Sequence, residues 1–193
     1  LIARADEGKI GEQQRYWGDA TTILGSQADD GIYDYTGQSV TVQARGNDDF
    51  IGLTIGNDLV SAGAGYDMVY AGGGDDLIAG EADDDTINAG GGDDVIVFNY
   101  GDGRETLTLG EGLDTLSFGT GIMPAVLSAA LDREGRVVLS IDGGAGGTII
   151  LEGVLADKLP GDLERIQFID AEGKTRVFDF AGWLRAHTQK RHV

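Results

Sequence analysis

The chain has 193 residues, with 33 acidic against 14 basic side chains, a net charge of −19, 33 glycines and no cysteine. That charge removes the attraction to phosphate on which nucleic-acid binding rests. The missing cysteine rules out disulfide staples, and no run reaches the roughly 18 apolar residues of a membrane span.

The N-terminal flank, residues 1–43, opens with a segment expected to form a short helix over 5–17, Ile10 and Trp17 standing seven apart. A lid over the first turn of the fold is its expected role. Residues 21–24 and 39–42 read as strands. No signal peptide precedes them, and the chain starts at Leu1, so it is expected to be cut from a longer protein.

Then a period of nine begins. Asp49, Asp58, Asp67, Asp76, Asp85 and Asp94 are evenly spaced, and two residues after each comes a branched apolar residue: Ile51, Val60, Val69, Ile78, Ile87, Ile96. Glycine crowds the positions before each acid, as in Ala71-Gly72-Gly73-Gly74-Asp75-Asp76-Leu77-Ile78-Ala79. The glycines call for positive φ and a tight turn. The three residues after the acid suffice for a short strand with one inward side chain. Two units make a coil of eighteen residues, so the acids fall into two columns: Asp49, Asp67 and Asp85 on one edge, Asp58, Asp76 and Asp94 on the other. Calcium takes oxygen ligands at about 2.3–2.6 Å, which fits the roughly 4.8 Å between stacked strands. Such a repeat is the signature of a calcium-binding parallel β-roll.

The period continues in altered form. Glu105 and Asp114 follow in the acid position, after two residues inserted around Asn99 and Tyr100. Upstream, Val42 keeps the apolar register while Val40 replaces the acid, so a coil there stacks without metal. Residues 44–116 hold 16 acids and 2 bases; residues 117–193 hold 10 and 9. Acidic segments commonly stay disordered. Here the acids are phased with glycines and inward residues, so disorder is expected only without calcium.

After residue 116 several antiparallel strands are expected, at 126–131, 136–141, 147–152, 163–169 and 174–178, and a terminal helix over 178–185. His187 and His192 lie in a basic tail and are expected to be solvated. No HExxH or GxSxG stretch is present, so no catalytic residue is expected.

These units resemble the RTX nonapeptide, G-G-x-G-x-D-x-U-x, of haemolysin-type calcium-binding proteins. The likeness covers 44–116, and residues 117–187 are similar to the cap that follows such blocks. The fold implied is all-β: a calcium-binding β-roll followed by a small antiparallel β cap with a terminal helix, residues 117–193 forming the capping and secretion region. The resemblance further implies that two turns of one edge share each ion. The earlier turn gives its second and fourth carbonyls and its aspartate; the later gives its first and third carbonyls and its aspartate. Carried onto this chain, one site is Gly72, Gly74, Asp76 with Ala89, Gly91, Asp94. A second is Gly63, Gly65, Asp67 with Gly80, Ala82, Asp85. A third is Thr54, Gly56, Asp58 with Ala71, Gly73, Asp76. A fourth is Arg45, Asn47, Asp49 with Ala62, Ala64, Asp67, and a fifth is Gly90, Gly92, Asp94 with Leu109, Glu111, Asp114. Glu81, Asp83 and Asp85 facing Glu105 make a sixth. The expected load is about four to six calcium ions.

The function implied is calcium-dependent folding and secretion, as the C-terminal part of a larger bacterial toxin, adhesin or exoenzyme exported through type I secretion machinery. The alternative is a calcium-dependent binding module for a host surface, a glycan or ice. It would use the outward Phe50, Met68 and Tyr70 of one sheet, or Leu59, Leu77 and Val95 of the other.

Overall fold

A repeat with one inward side chain per short strand can bury that side chain only by stacking on its own copies. The computed structural model does this; it describes residues 2–4, 14–15, 21–142, 146–155 and 163–188. The N-terminal coils comprise β1 (Ile2–Arg4), β2 (Gln14–Arg15), β3 (Thr22–Leu24) and β4 (Gly31–Tyr33). The repeats supply β5 (Thr41–Gly46), β6 (Phe50–Gly52), β7 (Leu59–Ala64), β8 (Met68–Gly73), β9 (Leu77–Ala82), β10 (Thr86–Gly91) and β11 (Val95–Phe98). Then come β12 (Arg104–Glu111), β13 (Asp114–Phe118), β14 (Leu127–Leu131), β15 (Arg136–Ile141), β16 (Thr148–Leu155), β17 (Leu163–Ile169), β18 (Thr175–Asp179) and the helix α1 (Phe180–Thr188).

The strands form two sheets of nine. One runs β1-β3-β5-β7-β9-β11-β13-β17-β18; the other runs β2-β4-β6-β8-β10-β12-β16-β15-β14. Through the roll every pairing is parallel. Val42, Val60, Ile78, Ile96, Leu116 and Ile166 stand in one register column. Ile32, Ile51, Val69, Ile87, Leu107 and Leu151 stand in the other. All twelve are buried, each stabilising the fold by roughly 1.5–3 kcal/mol. Ala44, Ala62, Ala71, Ala89, Leu53 and Leu109 are buried beside them. The first turn position thus gives the core a second inward residue, a role the nine-residue pattern did not suggest.

The cap departs from a separate antiparallel unit. β14, β15 and β16 are antiparallel, as are β17 and β18. Yet β16 lies parallel to β12 and β17 parallel to β13, so each cap sheet prolongs a roll sheet. The apolar columns explain this, since Leu151 and Ile166 are their last members. Phe98, Phe118 and Phe168 reinforce the join, with ring centroids 6.1 and 5.3 Å apart.

At the N-terminus the expected helix is corrected where it is described. Gln14 and Arg15 are extended and pair with Ile32 and Tyr33 of β4; the rest of 5–17 lies outside the described residues. Pairing with β4 satisfies backbone groups that a helix here would leave open on the sheet edge. The terminal helix starts at Phe180 rather than 178, and Phe178 belongs to β18. Phe180, Trp183 and Leu184 are buried by its packing on β14, β17 and β18. His187 stacks on Trp183 at 4.3 Å and its Nδ1 lies 2.7 Å from the Trp183 carbonyl, so it belongs to the helix rather than to a solvated tail. His192 lies outside the described residues.

Because β12 and β13 each have a cap strand as neighbour, a chain ending at Phe118 exposes two strand edges and the ends of both apolar columns. Such a chain is expected to fold poorly or aggregate even in several millimolar calcium. Circular dichroism and light scattering check this; folding at the calcium midpoint of the full chain would refute it.

Candidate metal centre

The turns place their second and fourth residues at positive φ, except that Thr54, the second residue of the turn before Asp58, does not adopt it while Gly56 does. Gly72 and Gly74 stand at 103° and 118°, Gly90 and Gly92 at 108° and 128°, Gly63 and Gly65 at 123° and 135°, and Gly110 and Gly112 at 115° and 132°. Conformation is only half the reason for glycine. A Cβ on Gly72 would stand 1.9 Å from the Thr54 carbonyl oxygen, and one on Gly90 1.9 Å from that of Gly72. At the fourth position, Cβ atoms on Gly74 and Gly92 would lie 2.2 and 2.3 Å from the carbonyl oxygens of Gly56 and Gly74. The second and fourth carbonyls of one turn therefore point at the next turn of the same edge. Arg45 and Asn47 aim theirs at Gly63 and Gly65 in the same way.

Four turn positions are not glycine yet keep the geometry: Arg45 at 91°, Asn47 at 67°, Glu81 at 78° and Asp83 at 82°. A side chain in this region costs roughly 1–2 kcal/mol, so the stacked neighbours, not local preference, hold these turns.

The aspartates form the two expected columns, joined by hydrogen bonds. The backbone N–H of Asp49 donates to Oδ1 of Asp67 at 2.8 Å, and Asp67 to Asp85 at 2.9 Å. On the other edge Asp58 donates to Asp76 and Asp76 to Asp94, both at 2.8 Å, and Asp94 to Asp114 at 3.0 Å. The column ends extend upstream, where Asp30 donates to Asp49 and Val40 to Asp58. All these acceptor aspartates are buried. Their second oxygens are the chemical signal: Oδ2 of Asp49, Asp67, Asp76, Asp85 and Asp94 is buried with no hydrogen-bond partner. A buried carboxylate oxygen without a partner is costly unless a cation meets it.

The electrostatics agree. Burial first, with like-charged neighbours adding to it, holds Asp49, Asp76 and Asp85 up at about 7 and Asp67 and Asp94 at about 6. Burial also raises Asp58 and Asp102, and pushes Glu105 to about 9.

Among the described residues no three His, Asp or Glu side chains converge as a metal cluster. A cation here takes its further ligands from backbone carbonyls, which favours a hard ion with flexible, high coordination such as calcium. Third-position carbonyls are partly engaged. The N–H of Gly56 donates to Gly73, Gly74 to Gly91, Gly92 to Glu111, and Gly65 to Ala82. Each of these oxygens keeps one lone pair for an ion. Ala62, Ala71, Ala89 and Leu109 are buried core residues at first positions, with Gly80 buried in the equivalent place. Ala64 is exposed at the third position of its turn.

A second ladder escaped the sequence reading. Fifth-position side chains accept from the following coil: Asp48 from Tyr66 N–H at 2.9 Å, Asn57 from Asp75 at 3.0 Å, Asp75 from Asp93 at 2.9 Å, Asp93 from Leu113 at 3.0 Å, and Asp84 from Arg104 at 3.1 Å. It runs opposite to the aspartate ladder. Its signal was present in the acid or amide that precedes five of the six phased aspartates, Asp67 following Tyr66 instead.

This geometry defines a class: a parallel β-roll built to hold hard cations between the turns of successive coils. Residues 45–87 and 70–99 match the family model of the RTX calcium-binding nonapeptide repeat, four copies. Residues 45–99 of the roll thus carry RTX repeats, and calcium is the ion such repeats bind. No curated protein matches the chain.

Asp76 stands between Asp58 and Asp94, whereas Asp49 has a phased aspartate on one side only. Asp76→Ala is therefore expected to raise the calcium midpoint of folding clearly more than Asp49→Ala. A buried N–H left without its acceptor adds about 1–3 kcal/mol to the loss. Equal midpoints in a calcium titration would contradict the column arrangement.

The raised carboxylates also set a pH dependence. Their folded values exceed the ordinary aspartate value, so the cation-free fold binds protons that the unfolded chain releases. In chelator its stability is fullest below about pH 4 and is lost as pH rises through 6 to 7. With calcium, protons compete for the same oxygens. Circular dichroism in chelator is expected to report more β structure at about pH 5 than at pH 7.5, and the calcium midpoint is expected to be higher at the lower pH.

Proposed function

We propose that this chain is a calcium-dependent folding and secretion module of a larger secreted RTX protein, exported unfolded by type I machinery and folded outside the cell by about four to six calcium ions. The observation that carries the reading is the pair of aspartate columns, in which Oδ2 of Asp49, Asp67, Asp76, Asp85 and Asp94 is buried without a hydrogen-bond partner. In a low-calcium cytosol these columns repel and keep the chain extended. Extracellular calcium modules bind at about 10⁻⁴–10⁻³ M, which sets the switch at the cell boundary. No helix among the described residues is long and apolar enough to cross a membrane. The chain's own part is to fold and cap; the catalysis, if any, belongs to the parent protein.

The binding-module reading draws less support. On the outer face of one sheet, Tyr35, Tyr33, Phe50 and Tyr70 form a ladder with centroids 6.1, 5.3 and 5.5 Å apart and planes within about 30°. Tyr33 and Phe50 each meet a ring on both sides, so the inner faces of this ladder are occupied by one another.

The isolated chain is expected to lack β structure in excess chelator at neutral pH and to gain it cooperatively with calcium. Magnesium is expected to substitute poorly, because it keeps its waters and needs shorter, near-octahedral bonds. Far-ultraviolet circular dichroism across both titrations measures this; a fully folded spectrum in chelator would sink the proposal.

A further inference from the structure

The outer face of the second sheet carries a pocket where the roll passes into the cap. Strands β12, β16 and β15 supply its floor, and the turn between β14 and β15 walls one side. The cavity measures about 460 Å³, within the roughly 300–1,000 Å³ of small-ligand sites. Val138 and Ile150 make the floor apolar, and Thr148, opposite Arg104 in the strand register, adds a hydroxyl. Strand β10 separates the pocket from the aromatic ladder through Tyr33, Phe50 and Tyr70 on the same sheet.

Three arginines and two acids line the pocket, but their charges are not equally free. Arg136 is fully engaged, pairing with Asp132 at 2.6 Å, with Glu134 at 2.7 Å and with Glu152. Asp132 also accepts the backbone N–H groups of Glu134 and Arg136, both at 2.9 Å, which fixes the turn. Arg104 and Arg133 are exposed, and neither guanidinium has an ion-pair partner among the described residues. Asp84 accepts the backbone N–H of Arg104 at 3.1 Å and leaves its side chain free. Two uncommitted guanidiniums thus face one cavity in a chain of net charge −19, and Arg104 is one of only two bases among the 16 acids of residues 44–116.

Each lining group has a counterpart in one kind of molecule. A guanidinium fork matches a planar carboxylate with two parallel N–H donors. An apolar floor suits the C–H face of a ring. Asp132 and Glu134 keep lone pairs beyond those engaged by Arg136 and can accept from ligand hydroxyls, as can the Thr148 hydroxyl, which can also donate. A bare inorganic anion leaves the floor and the acids unmatched, and a neutral sugar leaves the guanidiniums unmatched. We propose that this pocket binds a sugar acid, its carboxylate held by Arg104 and Arg133 and its hydroxyls by Thr148, Asp132 and Glu134. Arg104 comes from β12 of the roll and Arg133 from the cap, so the pocket is complete only when β16 has paired with β12. The junction thereby gains a role beyond folding and export.

The test is saturation-transfer difference NMR on the full chain, folded in saturating calcium, with D-glucuronate as the probe. Glucose lacks the carboxylate and cyclohexanecarboxylate lacks the hydroxyls, so both are expected to bind about tenfold more weakly. Arg104→Gln and Arg133→Gln are each expected to weaken glucuronate by about tenfold. Arg176→Gln removes the same charge from the exposed strand β18 and is expected to change nothing. Absence of transfer to glucuronate overturns the proposal, as does transfer that both pocket substitutions leave intact. Equal weakening by Arg176→Gln also overturns it, because the attraction then belongs to the charge of the whole chain. Cyclohexanecarboxylate binding as tightly as glucuronate overturns the sugar-acid assignment. Circular dichroism checks that each variant folds; should one fail, the ranking of the three probes on the unaltered chain decides.

Discussion

The structure depends on a hydrogen bond between a backbone N–H and the aspartate of the next coil. It fixes the spacing of the turns and spends one carboxylate oxygen while burying the other. Its net worth is about 0.5–3 kcal/mol, the upper end applying to a charged acceptor. Unit charges about 4.8 Å apart repel by roughly 3 kcal/mol at an effective dielectric near 20. Each interior aspartate has such a neighbour above and below. Repulsion therefore outweighs the ladder at neutral pH, and the fold requires either protons or cations between its coils. Calcium supplies the opposite charge while accepting the carbonyls that the turns already direct at one another.

Glycine serves that same contact. The turns stack so closely that the carbonyl of one coil occupies the place where the next would carry a side chain. This separates two kinds of departure from the repeat. Arg45, Asn47, Glu81 and Asp83 keep positive φ without glycine. They begin or border regions where the ladder changes character: Arg45 and Asn47 stand beside the N-terminal coils, where Val40 occupies the acid position, and Glu81 and Asp83 face the inserted turn. Strain is thus concentrated at the two ends of the first column, while the turns of Asp76 and Asp94 carry none of it.

The cap is bound to the roll through the sheets themselves. β16 and β17 continue the two parallel ladders, and the phenylalanine series from Phe98 to Phe168 crosses the junction. In a solenoid each coil is stabilised mainly by its neighbours, so an end with its own antiparallel hairpins and helix gives the last coil a partner to pair with. The near balance of charge after residue 116 suits that role.

The sequence by itself determined the roll. The nine-residue phase set the length of the coil, which edge each aspartate joins and which side chain of each strand points inward, because those follow from a period of two on strands and from the turn chemistry of glycine. What lies outside the phase was decided by tertiary structure. Residues 14–15 became a strand because β4 offered an edge to pair. β16 and β17 turned parallel because the apolar columns of the roll had to be continued. The ladder through Asp48, Asn57, Asp75, Asp84 and Asp93 was legible only as an acid or amide before all the phased aspartates but Asp67; its direction needed the coils in place. The same holds for Glu105. In the sequence it is a conservative exchange at a late repeat, and only the stacked coils reveal that its extra methylene frees both oxygens over the gap left by Gly80.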